Sequence, residues 1–282
     1  MSNKILVTGA TGNIGGHIVR LLQDKGAYFV AGVNSGTMDG VESVSIDYAN
    51  VASLEKAMQG ISTLFMVLPN HPEMIKWGEN IIDAAKKSGV KHIVRSSGSL
   101  AKIDSPLRIR QVIGETDQYL KNSSIDYTIT APSFFMQNFI NYFADDYKNG
   151  ALYQPAGDGK ISWTDVRDIA AVNAEVLLNP EKYKNKRLII TGSKALSYAE
   201  AIGIMNEVLG KEVQYVSVSD EAAIKAMTDM QFPQFLIDVM MDLNHCITEG
   251  YAEEVTDTVE NVTHQKPILF KQFVADNKDV WL

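Results

Sequence analysis

Thr8-Gly9-Ala10-Thr11-Gly12-Asn13-Ile14-Gly15-Gly16 carries three glycines at a spacing that suits a pyrophosphate. Gly9 lets the chain leave a strand in a tight turn. Gly12 lets phosphate approach the backbone, and Gly15 lets a helix pack close to the strand. The helix that follows offers unpaired N–H groups and a positive dipole end. Residues 4–8 read as a short buried strand and residues 14–25 as a helix, which is the context a dinucleotide loop requires. The first gap is one residue longer than in the simple G-x-G-x-x-G fingerprint. The loop nominates Gly9, Thr11, Gly12, Asn13, Ile14 and Gly15 for NAD or NADP. Such a site can pass a hydride, or it can hold the dinucleotide as a signal.

Making an alcohol from a carbonyl needs a proton as well as a hydride. A tyrosine with a lysine four residues on shares one helix face with it, and the lysine lowers the tyrosine's pKa. None of the 11 tyrosines has a lysine at that spacing. Tyr183 has Arg187 there, in what reads as a turn far from the expected helix. Metal chemistry has no support: the five histidines are scattered, the one cysteine, Cys246, has a single neighbouring histidine, and no HExxH stands in the chain. Ser97-Gly98-Ser99 lacks the first glycine of a nucleophile elbow, and no Gly-Lys-Ser/Thr follows the glycines. Asp165 and Asp168 read as cap and dipole partners at a helix start.

The remaining candidates lie where strands end. An acid after the second strand would hold the ribose of NAD, and an arginine there would meet the 2′-phosphate of NADP. The chain has Asn34 and Ser35, with Thr37 close by, which leaves the choice of cofactor open. Asp47 either points toward the adenine edge or caps a turn. Leu68, Pro69 and Asn70, then Ser96 and Ser97, then Pro132, Ser133 and Phe134 follow successive strands toward the switch point. Ser97 can bond ribose or substrate, or satisfy backbone. Phe134 and Phe135, with Met136 and Phe139, can line an aromatic pocket or fill a core. Gln137 and Asn138 are polar within that apolar stretch, so one of them can face a cleft.

These residues need a frame. Strands read at 4–8, 28–33, 43–47, 63–68, 91–97 and 126–131, and helices at 14–25, 51–59, 73–87 and 108–121. Continuous apolar strands alternating with helices predict an α/β fold, a Rossmann-type doubly wound parallel sheet. After residue 150 the rhythm changes. A turn at 153–160 is expected to lead into a short strand, followed by a helix at 166–178 and a strand at 187–191. A helix at 197–209, a strand at 213–218 and longer helices to about 252 complete the pattern. This predicts a dinucleotide domain over 1–152 and a smaller substrate-side region over 153–282. The strand near 187–191 is a candidate to rejoin the main sheet. The site is expected between the two regions.

Bulk properties narrow the partners. A net charge of −8 disfavours nucleic acid, which is bound through Lys and Arg on phosphates. The basic run at 182–187 reads as solvated surface. No run of 18 apolar residues predicts a membrane span, and no disulfide can form within a chain of one cysteine. With no signal-peptide pattern at the start, these features predict a cytoplasmic location.

Several segments resemble the NmrA-like family, atypical members of the short-chain dehydrogenase/reductase superfamily. They are TGATGNIGGHIV (8–19), SGVKHIVRSS (88–97), SSIDYTITAPSFFMQNF (123–139), PAGDGKISWTDVRDIAAVNAEVL (155–177), TGSKALSYAEA (191–201) and GYAEEVTDTVE (250–260). The resemblance implies a Rossmann domain binding NAD or NADP, and relatives that are triphenylmethane-dye reductases, quinone reductases or non-catalytic regulators. Two departures stand out. An arginine common after the second strand is Asn34, and the Leu-Arg before Pro132 is Thr130-Ala131. Matching back from Tyr127-Thr128, the superfamily's tyrosine and lysine positions fall at Ile109 and Ile113. Two isoleucines cannot move protons, but they can wall an apolar pocket. The reading is then an NAD(P)H-dependent oxidoreductase for a small, apolar, electron-poor acceptor such as a quinone or dye. The alternative is a redox sensor that binds NAD(P) and acts through a protein partner.

Overall fold

A computed structural model describes residues 3–282. The chain forms two compact units, each assembled from several stretches. The first takes residues up to Ser105, Arg110–Pro132 and Val166–Ile189; the second takes Pro106–Ile109, Ser133–Asp165 and Ile190–Leu282.

The first unit is built on a seven-stranded sheet. Its strands are β1 (Ile5–Val7), β2 (Phe29–Val33), β3 (Ser43–Ser45), β4 (Thr63–Met66), β5 (His92–Ser96), β6 (Asp126–Pro132) and, after the short β7 (Ala151–Gln154) of the second unit, β8 (Lys186–Ile190). The order across the sheet is β3-β2-β1-β4-β5-β6-β8. The five strand pairs from β3 to β6 are parallel. The order reverses between β1 and β4, and open sheets of this kind bind ligands at that switch point. Helices α1 (Asn13–Asp24), α2 (Val51–Ala57), α3 (Met74–Ser88) and α4 (Arg108–Asn122) alternate with the strands. Both faces of the sheet are covered, so β1, β4 and β5 are buried at every position. Leu6, Leu64, Ile93 and Ile129 lie in one apolar cluster with Ile81, Ile82 and Leu120 from the helices.

The second unit holds α5 (Asn138–Asn141), α6 (Ala144–Lys148) and β7; the next helix, α7 (Val166–Leu178), returns to the first unit and packs on α1. Then follow α8 (Tyr198–Leu209), β9 (Gln214–Ser217), α9 (Asp220–Asp229), α10 (Gln234–Thr248), α11 (Thr258–Thr263) and α12 (Phe270–Asp276). Helix α8 starts at a full capping box: Ser197 accepts from the Glu200 N–H while Glu200 accepts from the Ser197 N–H. The core of this unit is aromatic, with Trp163, Phe139, Phe273 and Trp281 all buried. The expectation of a short strand after the 153–160 turn is corrected. The strand β7 begins before that stretch, takes in its first two residues, Tyr153 and Gln154, and pairs with β9 in a separate two-stranded parallel sheet. Beyond the turn Ile161 makes only an isolated bridge with Leu196.

One titratable ring sits inside the main sheet. His92 on β5 is 2% exposed. Thr128 Oγ1 donates to the Tyr183 carbonyl, so it can only accept from His92 Nε2 at 2.9 Å. That puts a proton on Nε2 and leaves Nδ1 buried without a partner. Burial, above all, holds its pKa below the ordinary 6.5, against the pull of Asp126 and Glu181. Above 6.5 the ring is neutral in both folded and unfolded chains and its titration contributes nothing. Below that value the unfolded chain takes a proton that the folded chain refuses, so stability falls. Denaturant midpoints between about pH 7.5 and about pH 5.5 should show this loss, and His92→Gln should remove part of the slope. An unchanged slope in His92→Gln would contradict the assignment.

Candidate functional site

The glycine loop begins where β1 ends. Thr8 Oγ1 donates to the Phe65 carbonyl at 3.0 Å and accepts from the Val67 N–H at 3.1 Å, which pins the end of β1 to the end of β4. The Gly12 N–H then closes a turn on the Gly9 carbonyl at 2.9 Å. Gly12 is the N-cap of α1, no side chain caps that helix, and its first turn has no acid. A Cβ at Gly15 would stand 2.1 Å from the Gly9 carbonyl oxygen, and one at Gly12 would stand 3.2 Å from it. The helix start is therefore packed on the loop backbone too tightly for a side chain at Gly15, and its first N–H groups make the cradle. Those features fit a pyrophosphate. Thr11 and Asn13 are exposed beside the loop, and Ile14 is buried behind it.

The neighbouring strand ends supply the other candidates. Asn34, Ser35 and Thr37 are exposed just past β2. Asp47, past β3, accepts the Ala49 N–H at 3.0 Å, a turn-capping contact, and stays exposed. Leu68 is buried after β4, while Pro69 and Asn70 are exposed. Ser96 and Pro132 close β5 and β6 and are buried.

Ser97 has a partner that the sequence did not disclose. Its Oγ donates to Asp117 Oδ2 on α4 at 2.7 Å. The same oxygen accepts from Arg187 Nη1 at 3.1 Å, and Arg187 Nη2 donates to the carbonyls of Gly98 and Ser99 at 2.9 and 3.3 Å. Behind Asp117 lies Arg95 on β5, 2% exposed, with Nε 3.7 Å from Oδ1 and Nη1 donating to the Ser96 carbonyl. Burial, first of all, pushes the Arg95 guanidinium below its ordinary pKa, and the Asp117 carboxylate opposes that. The reading of Arg187 as solvated surface is thus corrected: it is the second residue of β8 and clamps the loop after β5. The available signal was Arg95 itself, a charge inside an apolar strand that must find an opposite charge. Chemically, Ser97 gives its proton to a carboxylate and offers only lone pairs elsewhere. It is an acceptor, poorly suited to act as an acid.

Ile113 on α4 is half-buried, and its Cδ1 would lie 3.5 Å from a Cβ on Gly98, so it flanks the same loop. In the second unit Ile109 is buried, and its N–H donates to Asp242 Oδ2 of α10 at 2.9 Å. A carboxylate thus meets the start of α4, a contact that 133 residues of separation hid from sequence reading. Phe134 is half-buried and edge-on to Trp163, and Phe135 bridges to Thr164. Met136 and Phe139 are core residues. Gln137 donates to Asp165 Oδ1 at 3.1 Å, and Asn138 opens α5. Among the described residues no group of three or more His, Cys, Asp or Glu is placed to hold a metal, and no helix is long and apolar enough to cross a membrane.

Comparison with known proteins adds three kinds of likeness. The model of the NmrA-like family matches residues 1–268. The chain is 38% identical over 275 residues to the NAD(P)H azoreductase of Xenophilus azovorans, covering 95% of this chain and 96% of that protein. Two solved structures superpose over nearly the whole chain. One is a nucleoside-diphosphate-sugar epimerase from Staphylococcus aureus, 27% identical with a TM-score of 0.88, covering 98% of this chain and 100% of that one. The other is the Citrobacter sp. triphenylmethane reductase complexed with NADP(H), 26% identical with a TM-score of 0.86, covering 96% and 99%.

The cradle makes a direct prediction. Gly15→Ala places a methyl group against the Gly9 carbonyl, and should cost about 1–3 kcal/mol of stability. Calorimetric binding of NADH and NADPH should be lost with it. Gly203→Ala in α8, where a Cβ meets nothing within 4 Å, should bind normally and gain about 0.5–1 kcal/mol. Normal binding by Gly15→Ala would remove the loop from the site.

Proposed function

The chain belongs to the NmrA-like family, and on that premise we propose an NAD(P)H-dependent reductase that delivers hydride to a small, apolar, electron-poor acceptor. NAD or NADP is the cofactor, and it supplies the hydride when bound. The observation that carries the reading is the Gly9–Gly15 cradle standing in a chain with no tyrosine–lysine relay. The names of the azoreductase and triphenylmethane reductase relatives support the same class of acceptor.

The residues divide the work as follows. Gly9, Thr11, Gly12, Asn13, Ile14 and Gly15 hold the pyrophosphate on backbone N–H groups. Asn34, Ser35 and Asp47 hold the adenosine end. Leu68, Pro69, Ser96, Ser97 and Pro132 line the cofactor along the strand ends. Asn70 and Ile113 are the acceptor-side candidates of the first unit, and Ile109, Phe134, Phe135, Gln137 and Asn138 those of the second, each set taken by itself. None of these offers a proton at neutral pH, so the protein contributes proximity and orientation.

The acceptor must then tolerate that lack. A cationic dye carbon takes hydride and needs no proton. A quinone takes hydride plus one proton from water to give the hydroquinone. An azo bond takes the same pair to give the hydrazo form. Epimerisation of a sugar nucleotide needs an acid–base group that both removes and returns a proton, and Ile109 and Ile113 cannot serve.

Anaerobic stopped-flow oxidation of NADH and NADPH against a triphenylmethane dye, a quinone, an azo dye and a simple ketone tests this. Turnover is expected with the first three and not with the ketone. Tight cofactor binding with no turnover on any acceptor would instead favour a redox sensor read by a protein partner.

A further inference from the structure

The loop after β2 carries a choice between the two cofactors. We infer that the chain takes NADH in preference to NADPH, with Asn34 as the discriminating residue. The inference rests on the dinucleotide reading above.

NAD and NADP differ at one place, the 2′ position of the adenosine ribose, which in this fold faces the residues past the second strand. A hydroxyl there is neutral, whereas a phosphate brings about two negative charges. Residues 34–47 read NSGTMDGVESVSID and contain no Lys, Arg or His. They contain three carboxylates, Asp39, Glu42 and Asp47. Lys4 reaches this segment, and it is engaged with Glu42 at 2.9 Å. The first turn of α1, Asn13-Ile14-Gly15-Gly16, adds no positive side chain.

The loop is also shaped. Ser43 Oγ accepts the Met38 N–H at 3.0 Å and donates to the Val41 carbonyl at 3.0 Å, which folds residues 38–43 on themselves. Gly36 and Gly40 take positive φ of 73° and 71°, so the turn is built on residues that accept it. This holds Asn34, Ser35 and Thr37 at the strand end with exposed amide and hydroxyl groups. Such groups suit a ribose hydroxyl. They cannot neutralise a phosphate in the way an arginine fork does. Charge is therefore the dominant difference between the cofactors, and its sign opposes NADPH.

The test is isothermal titration of the full chain with NADH and NADPH in parallel, at about 0.01 M and about 0.15 M salt, where the Debye length is about 30 and about 8 Å. NADH is expected to bind at least about tenfold more tightly at low salt, with the gap narrowing at high salt as repulsion is screened. In Asn34→Arg, NADPH should gain about tenfold or more, and that gain should shrink with salt. Because Asn34 is exposed, the variant should melt as the parent does. Asn34→Asp should widen the preference for NADH. NADPH binding as tightly as NADH, or tighter, would overturn the inference while leaving the dinucleotide reading intact. Unchanged NADPH affinity in a folded Asn34→Arg would overturn the role of Asn34. No binding of either nucleotide would overturn the dinucleotide reading and this inference with it.

Discussion

Asp117 is the charge around which the end of the central sheet is organised. One carboxylate on α4 receives the Ser97 hydroxyl and the Arg187 guanidinium, and it faces the buried Arg95. Three parts of the first unit meet there: the loop after β5, the middle of α4 and the start of β8. Removing one partner of a buried ion pair costs about 3–5 kcal/mol, because the other charge is left uncompensated. Here two guanidinium groups would be left. The arrangement holds the backbone of residues 97–99 in place, since Arg187 also grips the Gly98 and Ser99 carbonyls.

That constraint has a chemical consequence. The hydroxyl that the fold sets at the end of β5 is committed as a donor to a carboxylate. Ile113 flanks the same loop with an apolar side chain. Neither side chain can therefore give a proton, Ser97 because of its partner and Ile113 by its nature. The glycine cradle at the end of β1 is intact at the same time. Binding apparatus without an acid is the combination on which the proposed hydride delivery rests, and it restricts the acceptor rather than the cofactor.

Much of the first unit was legible in the sequence because each element is local. Apart from the third strand, the parallel strands from 4 to 131 are largely apolar runs that stop at Gly, Pro or Asn, and the helices between them carry their own stops, as with Gly89 in the left-handed region after α3. The glycine loop was legible for the same reason: its constraints lie within seven residues. Long-range features were not. β7 and β9 are short strands, exposed at Tyr153, and they become a sheet only by pairing residues 63 apart in the chain, as Ala151 with Gln214. Arg187 sat in a lysine-rich run that looks solvated, and its partner lies 70 residues upstream. Asp242 and Ile109 are further apart still. Period and composition report which face is buried, and they carry no record of which charge meets which.

The central claim is that no protein group gives a proton in the hydride step. Single-turnover reduction of a quinone, an acceptor that does need a proton, by deuterated coenzyme in H2O and in D2O tests it most directly. The account predicts a primary isotope effect from the coenzyme, no solvent isotope effect, and a rate in Ser97→Ala within about threefold of the parent, since a lost general acid would cost far more. A solvent isotope effect that disappears in Ser97→Ala, together with a rate loss on the order of a hundredfold, would contradict it.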